Sequence, residues 1–230
     1  MLYVENPGVK QRSEAAVRIA GKRFAAYASM PAATASGPDD VPPASADFRE
    51  AASIALPHRG QGPNMQTLYL LRHGIAVPHG TPGIADDDRP LTSKGEHRTR
   101  QVGRGLSACG LAIDRIVSSP LPRALRTAEL VAHELGLPQQ VEVNEALTAG
   151  RSAQEIRDWL RDRSEEHLLL VGHNPAISEL VGLLIVGEPH RLSFELKKAA
   201  VAAIFRGPDP ASRYELLWTA PPRLLRRLGR

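Results

Sequence analysis

The pattern from Thr67 onward predicts an α/β fold, a three-layer αβα sandwich on a mainly parallel central sheet. Short apolar runs, such as Leu68–Leu71 and His167–Val171, alternate with stretches of helical period. Strands alternating with helices build βαβ units, with helices on both sheet faces. The last two runs, Val201–Phe205 and Tyr214–Thr219, are too close for a helical crossover and predict a hairpin at that end.

The chain holds 230 residues, enough for one domain with an appendage. Residues 1–64 read as a disordered or loosely attached extension. Ala32 to Pro57 is rich in Ala, Ser, Pro and Asp without period, and its apolar residues are mostly alanine. Met65 stands immediately before the first predicted strand, and translation is expected to begin there. No secretory signal is evident, and Asp39, Asp40, Asp47 and Glu50 argue against an organelle-targeting peptide. The domain proper is expected over 65–220, followed by a basic tail over 221–230.

The first strand, Leu68–Leu71, ends in Arg72-His73-Gly74. Ile75 to Pro90 reads as a polar loop. Thr92 is the candidate N-cap of a helix running to Ala108 despite Gly95, Gly103 and Gly105. Ile113–Val117 is the second strand and ends in Ser118-Ser119-Pro120. The helix over Pro120–Leu135 carries Leu121, Leu125, Ala128, Val131, Ala132 and Leu135 at helical spacing. Val141–Val143 is a short third strand. Ser152-Ala153-Gln154-Glu155 is a capping box opening a helix with Ile156, Trp159 and Leu160 inward. His167–Val171 is the fourth strand. Asn174 is expected to cap the next helix, with Pro175 at its first position.

Bulk properties narrow the function. The net charge is +4, and the last ten residues contribute Arg223, Arg226, Arg227 and Arg230 with no acid. Without that tail the formal charge is zero, so charge gives no support for nucleic-acid binding. The tail itself reads as a solvated or frayed terminus. No apolar run approaches membrane-spanning length. The single cysteine, Cys109, allows no internal disulfide and suits a reducing, cytoplasmic setting. It follows a helical pattern and reads as a small buried residue.

Three strand ends carry polar residues, and a parallel sheet places such ends along one edge. In open α/β sheets ligands bind there. They offer Arg72-His73-Gly74, then Ser118-Ser119-Pro120-Leu121-Pro122-Arg123-Ala124-Leu125-Arg126-Thr127, then Val171-Gly172-His173-Asn174-Pro175. Taken singly, each histidine or arginine reads as an ordinary strand-end or surface residue. Their joint order and placement do not. Arg126 reads as a surface charge. The histidines lack metal-ligand spacing, with no His-x-His pair and no carboxylate joining them.

This sequence of motifs resembles the histidine phosphatase superfamily, the phosphoglycerate-mutase-like fold, over Met65 to about Ala220. Asp88-Arg89-Pro90-Leu91-Thr92-Ser93-Lys94-Gly95 resembles the short bacterial SixA-type phosphohistidine phosphatases. The asparagine that larger relatives carry soon after Arg-His-Gly is absent: Ile75-Ala76-Val77-Pro78 follows instead. The resemblance implies that His73 attacks phosphorus and becomes phosphohistidine, its other ring nitrogen held as a donor by a group such as a backbone carbonyl. Arg72 and Arg123 would clamp the phosphoryl oxygens with forked donors. His173 would be a further donor, as imidazolium or neutral. The helix start after Pro120 would add backbone donors.

Arg89 would line the mouth and bind substrate, or else form a loop salt bridge, which is the preferred reading of Asp86. Glu145 stands where many relatives place a general acid, and it reads equally as a solvated loop residue. The implied activity is metal- and cofactor-independent hydrolysis of phosphohistidine on a phosphorelay or phosphotransfer protein, with no nucleic-acid or membrane partner. The alternatives are a small-molecule phosphomonoester phosphatase and a phosphate-sensing or protein-binding module without turnover.

Overall fold

The computed structural model describes residues 65–209 and 211–230. The expectations for residues 1–64, including a start at Met65, lie outside the described residues. The elements are β1 (Gln66–Arg72), α1 (Ser93–Ala108), β2 (Arg115–Ser118), α2 (Pro122–Glu134), β3 (Val141–Val143), α3 (Ala153–Leu160), β4 (His167–Gly172), α4 (Ala176–Val186), β5 (Val201–Arg206), β6 (Glu215–Ala220) and α5 (Pro222–Leu228).

The six strands form one sheet in the order β3-β2-β4-β1-β5-β6. The first four are parallel, and β5 runs antiparallel to both β1 and β6. The predicted hairpin is therefore present, at one edge of an otherwise parallel sheet.

Side-chain alternation along the strands divides the core into two halves. Leu68 and Leu70 of β1, with Leu168 and Leu170 of β4, meet Ile156 of α3 and Ile177, Leu180 and Val181 of α4. Tyr69 and Leu71, with Leu169 and Val171, face the other way, toward Val102 and Leu106 of α1 and Ala124, Ala128 and Val131 of α2. Strands buried on both faces explain why β1 and β4 are continuously apolar in sequence.

Helix starts follow local chemistry. The Thr92 side chain accepts from Gly95 N–H, and Ser152 with Glu155 forms a reciprocal capping box. Asn174 does not cap α4. The helix begins at Ala176 after a cis Asn174–Pro175 peptide. The Asn174 amide instead donates to the Leu196 carbonyl at 3.1 Å, and its oxygen accepts from Ser178. The second strand and its helix begin two residues later than the sequence pattern suggests, at Arg115 and Pro122.

The basic tail is a correction. Residues Pro222–Leu228 form a helix that packs on α1, and Leu225 is buried in the same half-core as Val102 and Leu106. The contact depends on Gly105: a Cβ there would lie 2.0 Å from the Leu225 carbonyl oxygen. Cys109 ends α1 only partly buried, and its burial raises the thiol pKa. Among the described residues no helix is long and apolar enough to cross a membrane.

Candidate active site

Register brings the histidines together. Arg72 pairs with Gly172 across β1 and β4, so His73 and His173 leave adjacent strands at the same level. The His73 N–H donates to the Gly172 carbonyl at 3.1 Å. The two rings lie 5.0 Å apart between centroids, and both side chains are buried.

His73 Nδ1 lies 2.8 Å from the Gly74 carbonyl oxygen. A carbonyl only accepts, so Nδ1 carries the proton and Nε2 keeps its lone pair. The backbone carbonyl expected to fix the tautomer is therefore present. Burial lowers the His73 pKa from 6.5 to about 3, assisted by the charges of Arg123, Arg72 and Lys198, while the Gly74 contact opposes it. The ring is neutral at physiological pH.

Gly74 is required by crowding. A Cβ at this position would sit 2.5 Å from Thr99 Oγ1 and 3.3 Å from Leu91 Cδ2. The Gly74 N–H donates to Thr127 Oγ1 at 2.9 Å, and the Thr127 hydroxyl donates to the Arg123 carbonyl at 2.7 Å. The turn after His73 is thus tied to the first turn of α2, which carries Arg123.

His173 Nε2 lies 2.9 Å from Ser119 Oγ. The Ser119 hydroxyl has no other acceptor among the described residues, so its hydrogen is assigned to Nε2, and His173 carries its proton on Nδ1. Burial, then His73, Arg123, Arg89 and Arg72, lowers its pKa from 6.5 to about 3. The imidazolium considered for His173 is thus disfavoured. A neutral ring still presents one N–H.

Three arginines surround this pair. Arg123 is 2% exposed, and Arg72 and Arg89 are largely covered. Arg72 Nη1 donates to the Leu196 carbonyl at 2.7 Å and to Glu195 at 3.2 Å. Arg123 Nη1 donates to the Asp86 carbonyl at 2.9 Å, and Arg89 Nη1 to the Val77 carbonyl at 2.8 Å. The forks of Arg72 and Arg123 are therefore partly engaged by the protein, leaving their other nitrogens for a ligand. The nitrogens Arg72 Nε, Arg123 Nε and His173 Nδ1 are buried without a hydrogen-bond partner. Unpaired buried donors are costly unless a ligand completes them.

Asp86 forms the expected salt bridge, though inside the site. Its carboxylate accepts from Arg89 Nε at 2.7 Å and lies 3.8 Å from Arg123 Nη2. Hydrogen bonds from His79 and Arg89 lower its pKa to about 2. Arg126 faces outward and pairs with Glu96 and Glu129, as a surface charge does.

Glu145 lies in a short 3-10 turn after β3. It is exposed, and it accepts from the Thr148 hydroxyl at 2.9 Å. It makes no hydrogen bond or ion pair with the histidine–arginine cluster. Few backbone donors remain at the start of α2. Leu121 N–H goes to Ser119, Ala124 and Leu125 go to the Leu121 carbonyl, and Pro122 has none.

Sequence reasoning assigned no role to Ser119, Thr127 or Lys198. Ser119 and Thr127 lie within the Ser118–Thr127 motif, but only the fold shows what each holds. Lys198 carried no signal beyond its charge. Among the described residues no three His, Cys, Asp or Glu side chains cluster as metal ligands.

Residues 68–149 match the histidine phosphatase superfamily, branch 1. The phosphohistidine phosphatase SixA of Escherichia coli is 31% identical over 124 residues, 53% of this chain and 75% of that protein. The chain belongs to the histidine phosphatase superfamily. A Picosynechococcus protein is 39% identical over 145 residues, covering 61% of this chain and 85% of its own length. Among solved structures, the histidine phosphatase superfamily is represented by a protein histidine phosphatase SixA complexed with tungstate. It shares 25% identity at a TM-score of 0.61 and covers 70% of this chain and 99% of its own. These similarities support a phosphatase on an α/β sandwich.

Proposed function

We propose that this chain is a phosphohistidine phosphatase that works through phospho-His73. The observation that carries the reading is a neutral histidine, its tautomer set by Gly74, beside three buried donor nitrogens without partners. His73 Nε2 attacks phosphorus, and the bond from phosphorus to the substrate imidazole breaks. A substrate ring protonated on its far nitrogen leaves as neutral imidazole. Water then attacks phospho-His73, the new phosphorus–nitrogen bond breaks with its electron pair returning to Nε2, and phosphate departs with the water's oxygen and both of its protons. Arg72, Arg123 and His173 donate to the phosphoryl oxygens throughout, and Arg89 holds substrate at the mouth.

Two observations favour phosphohistidine over an ester. Similarity to the E. coli phosphohistidine phosphatase covers three quarters of that protein. Glu145, the candidate acid, makes no contact with the cluster. An alkoxide leaving group needs a proton donor, whereas an imidazole with a conjugate-acid pKa of about 6.5 does not. A relative of the same fold was solved in complex with tungstate, a phosphate-like oxyanion, which is in keeping with this reading.

The test is phosphate release from a phosphohistidine protein and from p-nitrophenyl phosphate, with EDTA present, for wild type and His73→Ala. Turnover of phosphohistidine that His73→Ala abolishes is expected. Turnover confined to the ester would transfer the assignment to a phosphomonoesterase. Phosphate binding without turnover would make the site a sensor.

A further inference from the structure

Ala199 is the one non-glycine residue with positive φ among the described residues, at 61°. It is buried, and its N–H lies 3.0 Å from the Arg72 carbonyl and 3.2 Å from the His73 carbonyl. Ala200 N–H closes a turn onto the Lys197 carbonyl at 2.8 Å, so Ala199 takes the third place of a four-residue turn. Glycine is usual where that place has positive φ. A strained alanine persists only where its surroundings hold it, and such residues gather at functional sites. Here two carbonyls of the catalytic segment hold it.

The turn carries Lys198 at its second position, against the nucleophile's own backbone. Lys198 is exposed and forms no ion pair among the described residues. Its ammonium is near enough to His73 to depress that ring's protonation. The neighbouring acid, Glu195, is already engaged by Arg72 and Asn174. Arg89, by contrast, is paired with Asp86. Lys198 is therefore a cation without an ion-pair partner among the described residues, carried on a turn that is hydrogen-bonded to the Arg72-His73 backbone.

We propose that Lys198 forms an anion subsite beside the phosphoryl site, and that it receives an acidic side chain flanking the phosphorylated histidine of a protein substrate. The inference rests on the phosphohistidine reading and adds a substrate preference to it.

The test compares two phosphohistidine peptides that differ only in one flanking residue, Asp against Asn. It uses the full chain and its Lys198→Ala, Lys198→Glu and Lys198→Arg variants. Wild type is expected to favour the Asp peptide in kcat/KM by about threefold to fivefold, the upper range for an exposed ion pair. The preference should sit in KM and weaken with added salt. It should fall to about one in Lys198→Ala, invert in Lys198→Glu and survive in Lys198→Arg.

A lysine that merely supports the fold would lower both peptides together and leave the ratio intact, which would overturn the inference. Turnover of both peptides at equal rates by wild type would also overturn it while leaving the phosphohistidine reading in place. Turnover of neither peptide would overturn both. A parallel pair, a carboxylate-bearing alkyl phosphate and its amide, separates the sources of the anion. A Lys198-dependent preference confined to that pair would assign the subsite to a small molecule and refute the protein substrate.

Discussion

Acidifying the folded chain from pH 7.5 to 5.5 should destabilise it through two particular histidines. His73 and His173 are both buried, and each has its pKa lowered from 6.5 to about 3. Once unfolded, each binds a proton below pH 6.5, whereas the folded forms stay neutral down to about pH 3. The unfolded state therefore binds more protons throughout that window, and stability is lost as pH falls through it. At pH 7.5 the unfolded rings are almost wholly neutral, and at pH 5.5 about nine in ten are charged. The loss is then about 1 kcal/mol per histidine and roughly 2 to 3 kcal/mol for the pair. The result changes little with the folded value, since any folded pKa below about 4.5 gives the same figure. Asp86, lowered to about 2, loses its contribution only at more acid pH and does not enter this window. Urea unfolding of wild type, His73→Gln and His173→Gln at the two pH values measures the effect. Each variant should lose about half as much stability on acidification as wild type. Equal losses in all three proteins would refute the buried-neutral assignment of the pair.

Three further outcomes follow from contacts around the site. Thr127→Val removes the acceptor of the Gly74 N–H, a 2.9 Å bond in a buried turn, and should cost about 1–3 kcal/mol in urea unfolding as well as lowering turnover. Leu225→Ala should cost about 2 kcal/mol by emptying the α5 contact on α1, and hydrogen exchange should show α5 opening before the sheet. Glu145→Gln should leave phosphohistidine turnover within about twofold while reducing any alkyl phosphate turnover about tenfold or more, the effect of losing an acid catalyst. An equal fall on both substrates would place Glu145 in the common machinery.

The sheet and its helices were largely legible because their physics is local and periodic. Leu68–Leu71 and His167–Val171 are buried on both faces, so an unbroken apolar run identifies them. Thr92 and Ser152 announce their helices through caps that the structure retains. The gathering of Arg72, His73, Arg123 and His173 was legible because each stands at or soon after the carboxyl end of a strand, in a spaced motif. Other parts depended on contacts between distant segments. In α1, Gly95, Gly103 and Gly105 look like weaknesses in a helix. A Cβ at those positions would lie 2.0 Å from the Ile75 carbonyl oxygen, 2.9 Å from Glu134 Cβ and 2.0 Å from the Leu225 carbonyl oxygen. They are the places where other segments touch the helix. The Gly105 contact is what docks the terminal arginine-rich helix, and nothing within residues 221–230 reports a partner 120 positions earlier. Asn174 misled for a similar reason. Its type and place suit a helix cap, but the 195–196 segment competes for its amide and takes it.

The arrangement of the arginines explains how positive charge is held in place and only partly offset. Arg123 is surrounded by desolvation and by Arg89, both of which lower its pKa, while Asp86 and Asp87 oppose them. Left alone, guanidinium groups this close would spread toward water. Each is instead tied to a main-chain carbonyl: Arg72 to Leu196, Arg123 to Asp86 and Arg89 to Val77. These carbonyls fix the positions of the guanidinium groups, while the carboxylates of Glu195 and Asp86 offset part of the charge of Arg72, Arg89 and Arg123. Two of the three tethers come from the loop between β1 and α1, and the third from the segment before β5. The sheet therefore positions the histidines through register, and the loops position the cations through backbone. That division accounts for the orphaned nitrogens. Arg72 and Arg123 each use Nη atoms for tethering and leave Nε unpaired, and Nδ1 of His173 is unpaired as well. A tetrahedral oxyanion bonded to His73 Nε2 has three outer oxygens to offer them. Under the proposed reaction, donors already in place would replace the reorganisation that water would otherwise undergo during phosphoryl transfer, the condition under which electrostatic stabilisation acts most strongly.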